Sequence, residues 1–281
     1  MHLFKIETGN FMLDGGAMFG VVPKSLWQKV YPANENNLCN LAMRSLLISV
    51  NGRNILVDTG IGNKQDEKFF SHYYLNGPCS LEGSLKENGF TKDDITDVIL
   101  THLHFDHCGG AVENNMEGNL QPVFRNAGYW VSKPQWEWAL HPNPREKASF
   151  LKENILPLEE SGQLKFIEEN TTFLPGIELR IFNGHSSGQM VPLIRYNGKT
   201  VVFTADLIPT VAHLPAAYVC GYDTQPLVSV KERDTFLKEA LENDYILFFE
   251  HDIHVECCTL TYTEKGIRME RSFTFSEFLK E

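Results

Sequence analysis

Apolar and polar positions along the chain predict strands and helices in two successive rounds. Short runs rich in β-branched and aromatic residues predict strands at 3–6, 46–50, 53–57, 97–100, 128–132, 164–167, 177–182, 190–196, 199–204, 245–249, 259–263 and 266–269. Helical spacing predicts helices at 25–31, 66–75, 81–88, 134–140, 145–156 and 228–241. No linker or shift in composition divides the sequence, so we expect one domain over residues 1–281.

Each round contains a hairpin that is predicted from an asparagine-glycine pair. Asn51-Gly52 lies between two strand-like runs in the first round, and Asn197-Gly198 does so in the second. Asn-Gly favours the tight primed turns that join antiparallel strands. The strand after the first turn leads to Asp58 and the strand after the second leads to Asp206, so each hairpin places a carboxylate at a strand end.

The segment 9–24 is punctuated by glycines and one proline and is predicted to be a loop. It nevertheless contains the large apolar residues Met12, Met18 and Phe19. These side chains either fold back onto the core or contact an apolar ligand, and the sequence leaves both interpretations open.

Composition and charge narrow the range of partners and compartments. The chain has 36 acidic and 25 basic residues and a formal charge of −11, so it lacks the basic surface that a nucleic-acid partner requires. Its first eight residues do not resemble a secretory signal, and no apolar run is long enough to cross a membrane. Six cysteines without a C-x-x-C pair are typical of reduced thiols. We therefore expect a cytoplasmic protein without membrane partners.

The segment 101–110, Thr-His-Leu-His-Phe-Asp-His-Cys-Gly-Gly, directly follows the strand predicted at 97–100. His102 and His104 are two residues apart, so both imidazoles can project to one side of an extended segment and bind one metal ion. Asp106 and His107 follow where the chain turns away and face a neighbouring position. Burying these groups without a metal would leave several donors and acceptors in need of partners. The spacing favours two metal ions.

Three further strands deliver groups of the same kind at their carboxyl ends. His185 follows the strand at 177–182, Asp206 follows the second hairpin, and His251 follows the apolar run at 245–249. Four separate strands therefore present histidine, aspartate or both.

The motif His102-x-His104-x-Asp106-His107 resembles the signature of the metallo-β-lactamase superfamily. The resemblance covers nearly the whole chain and implies an α/β fold, a single-domain αββα sandwich. It also implies a ligand set in which His102, His104 and His185 bind one metal, Asp106, His107 and His251 bind the other, and Asp206 bridges them. Asp58 would orient ligands by hydrogen bonding. Zinc suits such a set, although manganese, iron or cobalt fit nearly as well.

Two divalent ions in such a site can share a hydroxide, because bound water loses its proton near neutral pH. This bridging hydroxide would attack a carbonyl carbon, and Asp106 is the candidate for passing a proton to the departing oxygen. The expected protein is thus a metal-dependent hydrolase that acts on ester bonds.

The segments 14–24 and 205–210 look like those of N-acyl homoserine lactone lactonases, the quorum-quenching enzymes. This resemblance implies lactone opening, a small substrate with an apolar acyl chain that Met18 and Phe19 contact, and a homodimer. Two positions depart from the family. Pro209 stands where a tyrosine is usual, with Thr210, His213, Tyr218 or Tyr222 as possible substitutes, and Gln189 stands in place of a second histidine.

Two other functions remain open. Similar segments occur in organophosphate hydrolases of the methyl parathion type, and the same site could cleave those esters or other carboxylic esters. A non-enzymatic alternative is a metal-bound sensor that retains the ligands without turnover.

Overall fold

The structure is a computed structural model and describes residues 1–280. Within these residues the strands are β1 (His2–Asp14), β2 (Leu38–Val50), β3 (Arg53–Val57), β4 (Asp97–Ile99), β5 (Val112–Asn114), β6 (Leu120–Pro122), β7 (Gly128–Ser132), β8 (Leu164–Ile167), β9 (Thr171–Leu174), β10 (Ile177–Phe182), β11 (Gln189–Tyr196), β12 (Lys199–Phe203), β13 (Ile246–Phe248), β14 (Cys257–Thr263) and β15 (Gly266–Phe273).

Short helices connect the strands, and among the helices of residues 1–280 only Pro226–Glu242 is longer than ten residues. The α-helices are α1 (Gly15–Phe19), α2 (Lys24–Trp27), α3 (Glu67–Ser71), α4 (Leu81–Glu87), α5 (Phe105–Cys108), α6 (Lys133–Leu140), α7 (Lys152–Glu160), α8 (Pro226–Glu242) and α9 (Phe275–Phe278). Turns of 3-10 helix lie at Lys92–Asp94, Gly109–Ala111, Lys147–Ser149, Ala205–Leu207 and Val211–His213. No helix within residues 1–280 combines the length and apolar character that crossing a bilayer would take.

The chain forms two compact units, and each unit is built from two separate stretches of sequence. The first consists of residues 1–11 and 42–169, and the second of residues 12–41 and 170–280. The single domain expected over residues 1–281 stays a prediction.

The first unit contains a six-stranded sheet in the order β1-β2-β3-β4-β7-β8. The predicted hairpin is confirmed, because β2 and β3 pair antiparallel around Asn51 and Gly52, which both have positive φ. Strands β3, β4, β7 and β8 run parallel, so their carboxyl ends meet at one edge of the sheet. This edge receives Asp58 after β3 and the histidine motif after β4.

The core of the first unit lies between this sheet and its helices. Leu56 and Val98 from the sheet, Trp136 from α6 and Leu158 from α7 belong to one cluster of buried apolar side chains. This packing fixes the strand ends from which the histidine motif begins.

The second unit contains a seven-stranded sheet in the order β15-β14-β13-β12-β11-β10-β9. Strand β12 pairs parallel with β13, and β11 runs antiparallel to both β10 and β12. Strands β10, β12 and β13 therefore point the same way, and the chain leaves them towards His185, Asp206 and His251 at a common edge. A buried cluster that includes Val202, Leu247 and Phe236 of α8 supports this sheet.

Several predicted elements are wrong in extent. The strand predicted at 46–50 begins at Leu38, and the helices predicted at 25–31 and 66–75 end at Trp27 and Ser71. Residues 9–14 are not a loop but the end of β1, where Gly9 adopts a φ of +114° and the Asp14 side chain accepts a hydrogen bond from the Ala17 amide to begin α1. The helix predicted at 145–156 is divided into the 3-10 turn Lys147–Ser149 and α7. Phe150 breaks it, because its buried side chain is placed by an extended backbone with φ −102° and ψ 102°.

Candidate metal centre

In the first unit, the histidine motif brings two imidazole rings together edge to face, with their planes 76° apart. His102 Nε2 lies 3.0 Å from His104 Nδ1, and both side chains are buried. Two imidazole nitrogens at this distance either share a single proton or direct their lone pairs at one cation. The predicted pairing of His102 and His104 on one side of the chain is confirmed.

A buried carboxylate fixes the orientation of His104. Its Nε2 lies 2.9 Å from Glu146 Oε1, while Glu146 Oε2 accepts hydrogen bonds from Trp138 Nε1 at 2.6 Å and from Asn143 Nδ2 at 3.2 Å. A proton held on Nε2 by this carboxylate leaves the Nδ1 lone pair available as a ligand. Glu146 was not singled out from the sequence because it lies 42 residues beyond its partner, in a polar segment.

Replacing Glu146 by glutamine is expected to weaken metal binding about 10- to 100-fold, the usual cost of losing a partner that orients a ligand. The amide keeps the size of the side chain but removes the negative charge that favours the Nε2–H tautomer of His104. Competition with a chromophoric chelator would measure the affinity. Glu137→Gln, at an exposed site on α6, is the matched control, and equal affinities for both variants would contradict the role.

Asp58 orients the third histidine of the motif, as predicted. Its Oδ2 lies 3.1 Å from His107 Nδ1, and its two oxygens also accept hydrogen bonds from the amide and hydroxyl of Thr101. The second ring nitrogen of His107 then faces Asp106 Oδ2 at 3.7 Å. Helix α5 thus presents Asp106 and His107 to the same space.

Two glycines allow this arrangement. A Cβ atom on Gly109 would lie 2.1 Å from the carbonyl oxygen of Ile61, and one on Gly110 would lie 2.2 Å from that of Thr59. The backbone after α5 can therefore approach the segment after β3 only without side chains.

In the second unit, two imidazoles converge on one carboxylate. His185 Nε2 lies 3.0 Å from Asp206 Oδ2, and His251 Nε2 lies 3.2 Å from Asp206 Oδ1. Each oxygen of Asp206 therefore faces a different histidine, and the two histidines follow different strands. This geometry suits a carboxylate that bridges two ligand sets.

His185 is oriented from its other side by Asp223, which the sequence did not reveal. His185 Nδ1 lies 2.9 Å from Asp223 Oδ1, and the buried guanidinium of Arg233 lies 3.6 Å from the other oxygen of Asp223. Burial alone would lower the pKa of His185, but Asp206 and Asp223 outweigh it and raise the pKa to about 10. The surroundings of His185 thus favour a positive charge, which a divalent cation would supply.

All seven predicted ligands are buried histidine or aspartate side chains. Nitrogen and carboxylate donors of this kind suit zinc and the neighbouring transition metals. The donor set therefore fits divalent metal. Cys108 is also buried, and all six cysteines are free thiols, as expected.

Met18 and Phe19, predicted to contact an acyl chain, are 3% and 1% exposed. The Phe19 ring is stacked between Trp27, at 4.9 Å between centroids, and His213, at 4.8 Å. This burial favours the interpretation that the residues pack against the core. Contact with substrate stays a prediction.

Truncating Phe19 to alanine is expected to lower the free energy of unfolding by about 3–5 kcal/mol, because it empties a fully packed position between two rings. Urea denaturation would measure the loss. Val21→Ala, at a fully exposed apolar site two residues later, is the control and should change stability by less than about 0.5 kcal/mol. An equally small loss for Phe19→Ala would show that the stacked ring contributes little.

Thr210 and His213, two of the four residues suggested as substitutes for a tyrosine at Pro209, form a hydrogen bond with each other. Thr210 Oγ1 lies 2.8 Å from His213 Nδ1, and His213 Nε2 donates to the carbonyl oxygen of Met18 at 2.9 Å. Both side chains are buried, so their polar atoms serve to join the segment after Asp206 to α1. Tyr218 and Tyr222 stay open as candidates.

His213 is expected to make stability depend on pH. Burial, reinforced by the charge of Arg233, lowers its pKa from 6.5 to about 4. The unfolded chain therefore binds a proton at higher pH than the folded chain, so about 3 kcal/mol of stability is lost as pH falls from 6.5 to 4. Urea unfolding at several pH values with saturating metal would measure the slope. The difference between wild type and His213→Asn isolates this residue, and parallel curves would contradict the assignment.

An aromatic cluster next to Asp106 was also missed from the sequence. The ring of Phe105 lies 4.5 Å from that of Tyr73 and 5.4 Å from that of Phe69. Burial, together with the charge of Asp106, raises the pKa of Tyr73 to about 12, so its hydroxyl stays protonated. Tyr73 and Phe69 follow α2 by more than forty residues, and no spacing pattern connected them with the motif.

The chain is similar in sequence to proteins of known family. The family model described as the metallo-beta-lactamase superfamily matches residues 44–258. N-acyl homoserine lactonase AiiA of Bacillus thuringiensis subsp. kurstaki is 28% identical over 267 residues, which are 90% of this chain and 94% of that protein.

Two solved structures share the fold. A protein of Staphylococcus aureus, described as a probable metal-dependent hydrolase, is 32% identical with a TM-score of 0.88, covering 97% of this chain and 96% of that one. An N-acyl homoserine lactone hydrolase, solved with N-hexanoyl-L-homoserine bound at its catalytic metal center, is 26% identical with a TM-score of 0.69, covering 90% and 93%. The predicted α/β fold class is confirmed. These likenesses make the protein a metal-dependent hydrolase acting on ester bonds, and the chain belongs to the metallo-beta-lactamase superfamily.

Proposed function

We propose that this hydrolase opens the lactone ring of N-acyl homoserine lactones at a centre of two metal ions. The observation that supports it most is Asp206, each of whose oxygens faces the Nε2 atom of a different histidine. A relative of the same family, 26% identical, holds a ring-opened product of this substrate class at its metal center.

The ligand assignment follows the two converging sets. His102, His104 and His185 would hold one ion, Asp106, His107 and His251 would hold the other, and Asp206 would belong to both. Within each unit the donors lie close together, and Glu146, Asp223 and Asp58 each hold one ring nitrogen of a histidine so that the other is available. Zinc is the first candidate because histidine and carboxylate ligands suit it.

Divalent ions at such a site supply Lewis acidity towards a carbonyl oxygen and lower the pKa of water. Side chains of the protein provide proton transfer and hold the reacting groups in position. Asp106 is 8% exposed and lies at the start of a short helix beside His107, so its carboxylate can hold a proton and pass it to the oxygen that leaves the ring. The hydrogen-bonded carboxylates behind the histidines keep these groups fixed during the reaction.

An apolar acyl chain would find a surface in the first unit. Phe69 and Tyr73 are only half-buried, and both contact Phe105, the residue between His104 and Asp106. We propose that these aromatic side chains contact the acyl chain in addition to Met18 and Phe19, whose contact with substrate stays a prediction. The protein is further proposed to act in the cytoplasm as a homodimer, which fractionation and sedimentation would test.

Kinetic comparison of three substrate classes tests the function. The metal-loaded protein should open N-hexanoyl and N-decanoyl homoserine lactone with a higher kcat/KM than it hydrolyses a phosphotriester or a simple aryl ester. A preference for the phosphotriester would replace the proposal with organophosphate hydrolysis. Full metal occupancy without turnover of any of the three would favour a sensor.

A further inference from the structure

The first unit also contains a cavity outside the set of predicted metal ligands. It has a volume of about 700 Å³ and is formed where α6 ends and α7 begins. This volume lies within the range that small-molecule sites occupy. None of the seven predicted ligands lines it.

The walls of the cavity are mainly apolar. Leu140 comes from the end of α6, Leu151 precedes α7, and Ile155 and Leu156 come from its first turns. Phe150 completes this surface. Such a lining favours an apolar group over a sugar or a nucleotide.

The charged residues that line the cavity are two lysines and one glutamate, a net positive charge, although the chain as a whole carries −11. Lys147 and Lys152 are exposed at its edge, and Glu153 is the only acidic side chain in the lining. The first residues of α7, a nine-residue helix, also line the cavity, and Leu151 at its N-cap provides no side-chain hydrogen bond. Its first amides and the two ammonium groups both favour an anion.

We propose that this cavity binds a small carboxylate with an apolar tail, its carboxylate at Lys147 and Lys152 and its tail between α6 and α7. Charge and shape together select this class, because neither a neutral hydrocarbon nor a hydrophilic anion uses both parts of the cavity. The ring-opened product of an acyl homoserine lactone belongs to this class, and only that identification rests on the proposed function.

Binding in the cavity would affect the metal centre indirectly, through the side chain of Phe150. Phe150 lines the cavity, and its ring centroid lies 5.0 Å from that of His104. Lys147 directly follows Glu146, which holds His104 by a hydrogen bond. A tail that displaces Phe150 therefore changes the support of His104 without entering the space between the ligands, so it lowers kcat rather than competing with substrate.

Octanoate is the probe, and octanol and octylammonium are its controls. Calorimetry on the metal-loaded protein should show binding of octanoate and at least tenfold weaker binding of the other two. Lys147→Gln/Lys152→Gln should weaken octanoate binding about tenfold and leave turnover without octanoate unchanged. Lys86→Gln/Lys265→Gln, at exposed sites elsewhere, should bind octanoate like wild type.

Inhibition kinetics separate this cavity from the metal centre. Octanoate should lower kcat at saturating substrate, and purely competitive inhibition that the lysine variants leave intact would place the ligand at the metals and overturn the proposal. Equal binding of octanol, or no binding, would overturn it as well. If the lysine variant folds poorly, Leu156→Trp is the alternative test. Its larger side chain fills the cavity and should abolish octanoate binding. Because binding is measured directly, a failure of the lactonase assay would not affect this result.

Discussion

Asp206→Asn is expected to lower kcat/KM about a thousandfold, the scale of about 4 kcal/mol on which a metal ion stabilises charge in a transition state. The substitution changes few atoms. An amide presents one oxygen and one NH2 group where His185 and His251 each now face a carboxylate oxygen. One of the two imidazoles would then meet a hydrogen-bond donor, and the charge that attracts both cations would be gone.

Metal content distinguishes a bridging role from a purely structural one. Mass spectrometry of the purified variant should find fewer than two ions per chain, while circular dichroism stays like that of wild type. Asp244→Asn is the matched control, because Asp244 is exposed and has a φ of +52°, a conformation that asparagine accepts. Two bound ions with activity within twofold of wild type would exclude Asp206 from the centre.

Removing the metal by chelation is expected to abolish hydrolysis and to lower the free energy of unfolding by about 4 kcal/mol, the linkage value for a ligand present at a thousand times its Kd. The loss of stability follows from the donors. Asp106, Asp206 and the histidines are buried together in each unit, and a bound cation offsets the cost of keeping those groups out of water.

Reconstitution decides which ion acts. Zinc, manganese or cobalt added to the chelated protein should restore both activity and stability, whereas magnesium should restore neither, because magnesium prefers oxygen ligands. Thermal unfolding and lactone hydrolysis are measured on the same samples. Activity that survives complete chelation would contradict a metal-dependent reaction, and stability restored without activity would point to a sensor.

The sequence predicted the ligand-bearing segments better than the groups that support them. His102, His104, Asp106 and His107 lie within six residues, and such local spacing is visible without a fold. Glu146 and Asp223 lie 42 and 38 residues from the histidines they contact, and only packing brings them there. Asp58 could be predicted in part. The strand before it is visible in the sequence, so its position at the strand end followed, although its contact with His107 depends on the fold.

The errors in the fold have related causes. The parallel strands β4, β7 and β8 are short apolar runs with clear boundaries, and they were predicted within one residue. Glycines in the 9–14 segment predict a loop because glycine normally interrupts strands, but a single glycine with positive φ continues β1. The hairpin of β5 and β6, whose polar residues resemble a turn, and the short β9 and α9 had too few apolar positions to be recognised.

The interleaving of the two units along the chain has a consequence for synthesis on the ribosome. The first unit has its full sequence once residue 169 has emerged, but residues 12–41 must wait for partners from residue 170 onwards. The 44 residues from 170 to His213 take about 2–9 seconds at ordinary elongation rates. During that interval the apolar side chains of Met18, Phe19 and Trp27 lack His213 and its neighbours, so the nascent chain exposes them to chaperones or to aggregation.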